Sequence, residues 1–218
     1  MKRAPRSLAL PLLCALLSAG CSSAYYGAME KIGFAKREIL VDRVASAQKA
    51  QASAKTQFAS ALEHFLAVTR INAGDLPRKY DELNREFTRS EDRAKEVRDR
   101  IAAVEDVADA LFREWKQELR QYSDASLRTE SQRQLDATHR RYDDLLRLMR
   151  RAADRMEPVL ATFRDQVLFL KHNLNARAIA SLDGTTRSLE ADISRLIADM
   201  ETSIRESDAF IKSLKSGG

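Results

Sequence analysis

Little in this chain can interrupt a helix. Its 218 residues include seven glycines and four prolines, while 32% of the side chains are charged. Few turn-formers beside abundant Ala, Leu, Arg, Lys and Glu point to an all-α or coiled-coil class. Paired cysteines are missing as well. Cys14 lies inside an apolar leader, which leaves Cys21 alone and excludes an intramolecular disulfide. No Cys-x-x-Cys and no His-Glu-x-x-His occurs. None of the three histidines has Glu three residues before it, as a ferritin-like di-iron site requires. The scattered glycines cannot build a phosphate loop. A surplus of one charge is scarce too. The formal net charge is +5, but removing Lys2, Arg3 and Arg6 leaves 34 basic against 32 acidic side chains, or +2. A balance that small gives no argument for nucleic acid, and no aromatics interleave the basic residues for base stacking.

What is present begins with an ordered leader. Met1 to Arg6 is basic, Leu8 to Leu17 is almost wholly apolar, and Ser18-Ala19-Gly20 supplies small residues before Cys21. Residues 1–20 therefore read as a secretory signal peptide, too short for a spanning helix of about 20 apolar residues. The small residues ahead of Cys21 resemble the lipobox of bacterial lipoproteins, although Leu17 stands four rather than three residues before the cysteine. That resemblance implies a diacylglyceryl group on the Cys21 thiol and acylation of the new amino terminus. The competing reading is ordinary cleavage after Ala24, with Ser22 at the third-last position. Residues 21–34 form a short tether, in which Tyr25 and Tyr26 either rest at headgroup level or cap a bundle end.

Residues 35–215 read as a helical domain. The organising stretch carries Leu83, Phe87, Ser90, Ala94, Val97, Ile101, Val104, Ala108, Leu111, Trp115, Leu119 and Tyr122, alternating steps of three and four that make one continuous seam. An earlier helix, from about Ala35 to Ile71, has Leu40, Val44, Ala47, Gln51, Ala54, Phe58, Leu62, Phe65 and Thr69 on its seam. Between these two helices Gly74 reads as a left-handed stop, Asp75 as a cap and Pro77 as a first-turn residue. A third seam runs from Leu135 to Leu174 through Pro158, where a bend near Asp154 to Met156 is expected rather than a stop. Asp183-Gly184 marks the next break, and a last helix from about Thr186 shows Leu189, Ile193, Leu196, Met200, Ile204, Ile211 and Leu214. The expected fold is all-α: an elongated antiparallel helical bundle of about four helices with coiled-coil packing. A rod of paired helices that completes its core as a homodimer is the alternative.

Several runs resemble an uncharacterised bacterial family of helical, signal-peptide-bearing proteins, catalogued as a domain of unknown function. They are Tyr80-Asp81-Glu82-Leu83-Asn84, Val104 to Ala108, Leu111 to Trp115, the Met156-Glu157-Pro158 corner and Leu168 to Ala176. The resemblance implies an envelope location and a helical fold, and transfers no activity.

Candidate contact residues fall in two places. Arg140, Arg141, Arg147, Arg150, Arg151 and Arg155 cluster against only Asp143, Asp144 and Asp154. Such a strip either touches lipid headgroups or an acidic partner, or pairs with carboxylates of neighbouring helices. Further on, Lys171, His172, Asn173 and Asn175 place poor helix formers in mid-helix. They read as a partner patch, a buried register-fixing layer, or a solvated face. His64 reads as a surface or partly packed residue, and His139 as the partner of Asp143 one turn on. No catalytic set, cofactor or metal site is expected. The sequence thus predicts a non-enzymatic lipoprotein anchored through Cys21, facing the periplasm. Ser22 after the cysteine implies, by the lipoprotein sorting rule, the outer membrane. Its role would be scaffolding of an envelope partner, with membrane-surface binding through the arginine strip as the alternative.

Overall fold

The computed structural model describes residues 36–68, 75–173 and 182–216. They form four helices: α1 (Lys36–Val68), α2 (Leu76–Glu118), α3 (Ala125–His172) and α4 (Asp183–Ser216). There is no strand among the described residues. Each helix packs on its chain neighbours, and α4 returns to α1 to close a four-membered ring. Charged side chains fix the direction of each pair. Lys36 reaches Glu114 at 3.0 Å while Gln57 reaches Glu86 at 2.7 Å, so α1 and α2 are antiparallel. Arg150–Glu105 and Arg164–Glu91 do the same for α2 and α3, and Gln48–Asp208 with Lys55–Glu201 for α1 and α4. The core closes within a single chain.

The seam of α2 is buried from Leu83 to Leu111 without a break. Its continuation thins out: Trp115 is half-buried, Leu119 buried, and Tyr122 exposed. Tyr122 lies beyond the end of the helix, where no neighbour remains to cover it. On α1 the buried positions keep the alternation of four and three to the end, through Phe58, Ala61, Phe65 and Val68, while Thr69 lies outside the described residues. Ala61 takes the core position expected for Leu62, which is only partly covered. Ala47, Ala50 and Ala54 are fully or almost fully buried there, and short side chains let neighbouring backbones approach. On α4 the three–four alternation runs through Ser203, Ser207 and Phe210 to Leu214, all buried. Ile204 and Ile211, expected in the core, flank it instead. Position in the repeat outweighs the hydrophobicity of the residue one place on.

Helix boundaries depart from expectation at two points, Asp75 and Asp183-Gly184. Asp75 sits at the N-cap of α2 but makes no capping bond through its side chain, which lies 3.7 Å from Arg78 instead. Pro77 falls in the first turn, as expected, and Gly74 lies outside the described residues. Asp124 does cap α3, its Oδ1 accepting from the Ser126 and Leu127 amides at 2.7 and 3.0 Å. The fourth helix starts at Asp183, so Gly184 belongs to its first turn rather than to a break. Helix α3 continues through Pro158 without a stop.

The helices end unevenly. Lys36 opens α1 opposite Glu114, and Arg155 meets Asp199 at 2.5 Å, so α4 finishes about level with residue 138 of α3. At that level α2 itself ends, at Glu118, and only the connection from Leu119 to Asp124 and the first turns of α3 continue beyond it. The base of this hairpin tip is closed by Trp115, whose indole N–H donates to Ser131 Oγ at 2.9 Å.

Candidate functional site

The structure divides the six candidate arginines of α3. Arg150 crosses to Glu105 of α2 at 2.9 Å, and this carboxylate holds its guanidinium still more firmly protonated. Arg155 crosses to Asp199 of α4. Arg147 turns back to Asp144 on its own helix. Arg140, Arg141 and Arg151 are exposed and make no ion pair among the described residues. The strip is thus partly a set of interhelical ties. Arg147, Arg150, Arg151 and Arg155 line a broad open groove with Asp143 and Asp154, ending at Pro158. Every lining residue belongs to α3, so the groove is a shallow feature of one helix rather than a cleft between two.

Above this face stands an aromatic cluster. The Phe112 ring of α2 lies 4.5 Å from His139 and 5.4 Å from Tyr142 of α3. His139 Nδ1 is 2.9 Å from Asp143 Oδ2, the i,i+4 pair that its spacing implied. Burial pushes the Tyr142 phenol far above its usual range, and the Asp109 and Glu105 carboxylates add to the effect. Tyr142 is therefore a neutral core side chain. His64 is half-buried, 3.9 Å from Glu82.

The 171–175 patch differs from its mid-helix expectation. Lys171 and His172 occupy the exposed last turn of α3, and Asn173 is its C-cap, donating Nδ2 to Phe169 O at 2.9 Å. Asparagine, a poor helix former, ends the helix here. Asn175 and Cys21 lie outside the described residues.

Buried polar groups on three helices gave little sign of themselves in the sequence. Glu86, 5% exposed, accepts from Gln57 Nε2 at 2.7 Å, Ser60 Oγ at 3.3 Å and Arg89 at 2.8 Å. Its solvation is replaced in full, which makes it a structural knot between α1 and α2. Gln51 and Ser203, both fully buried, leave Oε1, Nε2 and Oγ without hydrogen-bond partners among the described residues. Gln51 stands on the expected seam; Ser203 does not, because serine carries no hydrophobic signal.

Among the described residues no group of three His, Cys, Asp or Glu side chains could hold a metal ion. No described helix is long and apolar enough to cross a membrane. No curated protein and no solved structure is matched by this chain. A family model does match, over residues 25–214, nearly the whole of the helical domain and with it the runs from Tyr80 to Ala176. The chain belongs to that family, described as a protein of unknown function (DUF2959).

Proposed function

We propose that this protein is a bacterial envelope lipoprotein, held through an acylated Cys21, whose helical rod scaffolds another envelope component. The observation that carries the reading is the division of the α3 arginines. Arg150 and Arg155 hold the bundle together, and Arg140, Arg141 and Arg151 are left facing solvent along a rigid face. Rigid, charged, cleft-poor surfaces suit docking of a partner more than turnover of a substrate. Multiple acyl chains, at about 0.8 kcal/mol for each buried CH₂, would keep the rod on its membrane. With Ser22 following the cysteine, the outer membrane facing the periplasm is the proposed location. A homodimer, if one forms, would use outer faces, since the ring of four helices is already closed.

The second reading is membrane-surface binding through the arginine strip of α3, favoured by the open groove that Arg147, Arg150, Arg151 and Arg155 line. Two measurements separate the readings. Mass spectrometry of the mature amino terminus tests the anchor: an unmodified Cys21 ends the lipoprotein proposal. Crosslinking in isolated envelopes, with Arg140→Glu/Arg141→Glu/Arg151→Glu as the comparison, tests scaffolding. A specific protein adduct lost in the triple variant supports it. No adduct, together with flotation of the unacylated helical domain on anionic but not neutral vesicles, lost in the triple variant, supports the second reading.

A further inference from the structure

The hairpin tip formed by the α2–α3 connection and the first turns of α3 has an outer end unlike the rest of the surface. All residues from Arg120 to Glu130 are exposed, and among them Tyr122 and Leu127 keep 40% and 57% of their surface in water. The same stretch carries Lys116, Arg120 and Arg128, without ion pairs among the described residues, beside Glu118, the capping Asp124 and Glu130, which pairs with Arg133. Behind them the base is stiffened by buried Leu119 and Leu135 and by the Trp115–Ser131 bond. An exposed aromatic and an exposed leucine at a tip, in a stretch that also offers long, unpaired cationic side chains, is a composition that can settle at a bilayer's headgroup level.

Where this tip lies decides what it meets. Lys36, the first residue of α1, opposes Glu114, so the chain preceding α1 enters at the hairpin's end of the molecule. From residue 138 back to its start at Ala125, α3 extends beyond α4 by on the order of 20 Å, at 1.5 Å per residue, while α2 ends at Glu118, four residues past Glu114. Fourteen residues lie between Cys21 and Lys36, fifteen steps along the chain. A chain of that length reaches at most about 50 Å extended, and about 22 Å even if wound as a helix. The tether therefore covers that extension in either form, and a surface that holds Cys21 comes within reach of Tyr122 and Leu127.

We propose that the α2–α3 tip is a second membrane contact, seated in the headgroup region of the bilayer that holds the acylated Cys21. The proposal rests on the lipoprotein reading. Two points of attachment, one covalent and one built into the rod, would make the bundle stand on its hairpin.

The test uses the acylated full chain in vesicles of phosphatidylethanolamine and phosphatidylglycerol containing lipid brominated near the top of the acyl chains. Trp115 is the single tryptophan. Trp115→Phe combined with Tyr122→Trp therefore reports on the tip, and Trp115→Phe combined with Phe169→Trp on an exposed site at the opposite end. Quenching of the first and not of the second supports the proposal. Equal quenching of both, or of neither, overturns it while leaving the anchor intact. A purified chain whose mass shows no acyl groups overturns both readings, since the tip is then given no surface. Hydrogen exchange on the unsubstituted acylated chain probes the same contact without relying on either variant folding. Amides 120–130 should slow by about threefold or more on vesicles relative to detergent, and amides 165–173 should not; unchanged exchange at 120–130 overturns the proposal.

Discussion

At the scale of single residues, two polar side chains in the core lack compensation. The Gln51 amide and the Ser203 hydroxyl are buried without hydrogen-bond partners among the described residues, and an unpaired buried polar group costs about 1–3 kcal/mol. Replacing Gln51 with Leu, of similar volume, should raise the unfolding free energy by about 1–2 kcal/mol in urea titrations. A loss of stability would mean that the amide has partners in solution. A polar residue at a seam position can be kept because it fixes register, so the same variant should also be checked for a change in mass by light scattering. Asp124 offers a test in the opposite sense. The Leu127 and Ser126 amides hold its carboxylate below the ordinary range. A group whose pKa falls on folding contributes stability above its unfolded pKa and loses it as pH drops through the folded value. Asp124→Ala should therefore melt earlier than the parent at pH 7, and the gap should close as both are titrated below about pH 4. A gap independent of pH would point to some other loss.

At the scale of elements, periodicity is readable where the sequence keeps one repeat and unreadable where it changes phase. The α2 seam can be followed residue by residue from Leu83 to Leu111 because nothing else in the stretch competes with it. The α4 seam cannot, because Ser203 and Ser207 hold its phase with no apolar side chain, and Ile204 and Ile211 lie one place away. A hydrophobic pattern reports preference for burial; small residues at a close helix contact are set by space. Caps show a similar division. Asp75 and Asp124 have equal propensity as N-caps, yet only Asp124 takes the extended backbone that turns its carboxylate onto the first free amides. Helix α3 carries the element-scale prediction. Pro158 is exposed and offers no amide to the helix in which it sits. Pro158→Ala should restore that hydrogen bond and stabilise the chain by about 1–3 kcal/mol, read as a higher urea midpoint at unchanged slope. A destabilised variant would mean that the core from Met156 to Phe163 depends on the proline's local geometry.

At the scale of the whole molecule, composition alone excludes most alternatives, and the closed ring of four antiparallel helices follows from connections too short to do otherwise. The candidate site is less legible. An arginine strip looks the same in sequence whether its members face water or cross to Glu105 and Asp199, because the partners lie 45 and 44 residues away. The ties at Lys36, Arg150 and Arg155 are partly exposed, and such pairs contribute little individually. They set alignment more than stability. The longest helix, at 48 residues, should give a maximum dimension of at least about 70 Å by small-angle scattering. A value nearer 45 Å, as for a compact globule of this size, would contradict an extended rod.

An even number of alternating helices brings the chain back to the pole from which it set out. Lys36 and Ser216 share that pole with the hairpin, while Val68, Leu76 and His172 sit at the other, about 50 Å away along α1. Height is then an inherited dimension, set by helix length alone. Deleting one heptad from each of the four helices would lower the far pole by about 10 Å without disturbing the seam's phase, so whatever is met there is met at a fixed altitude.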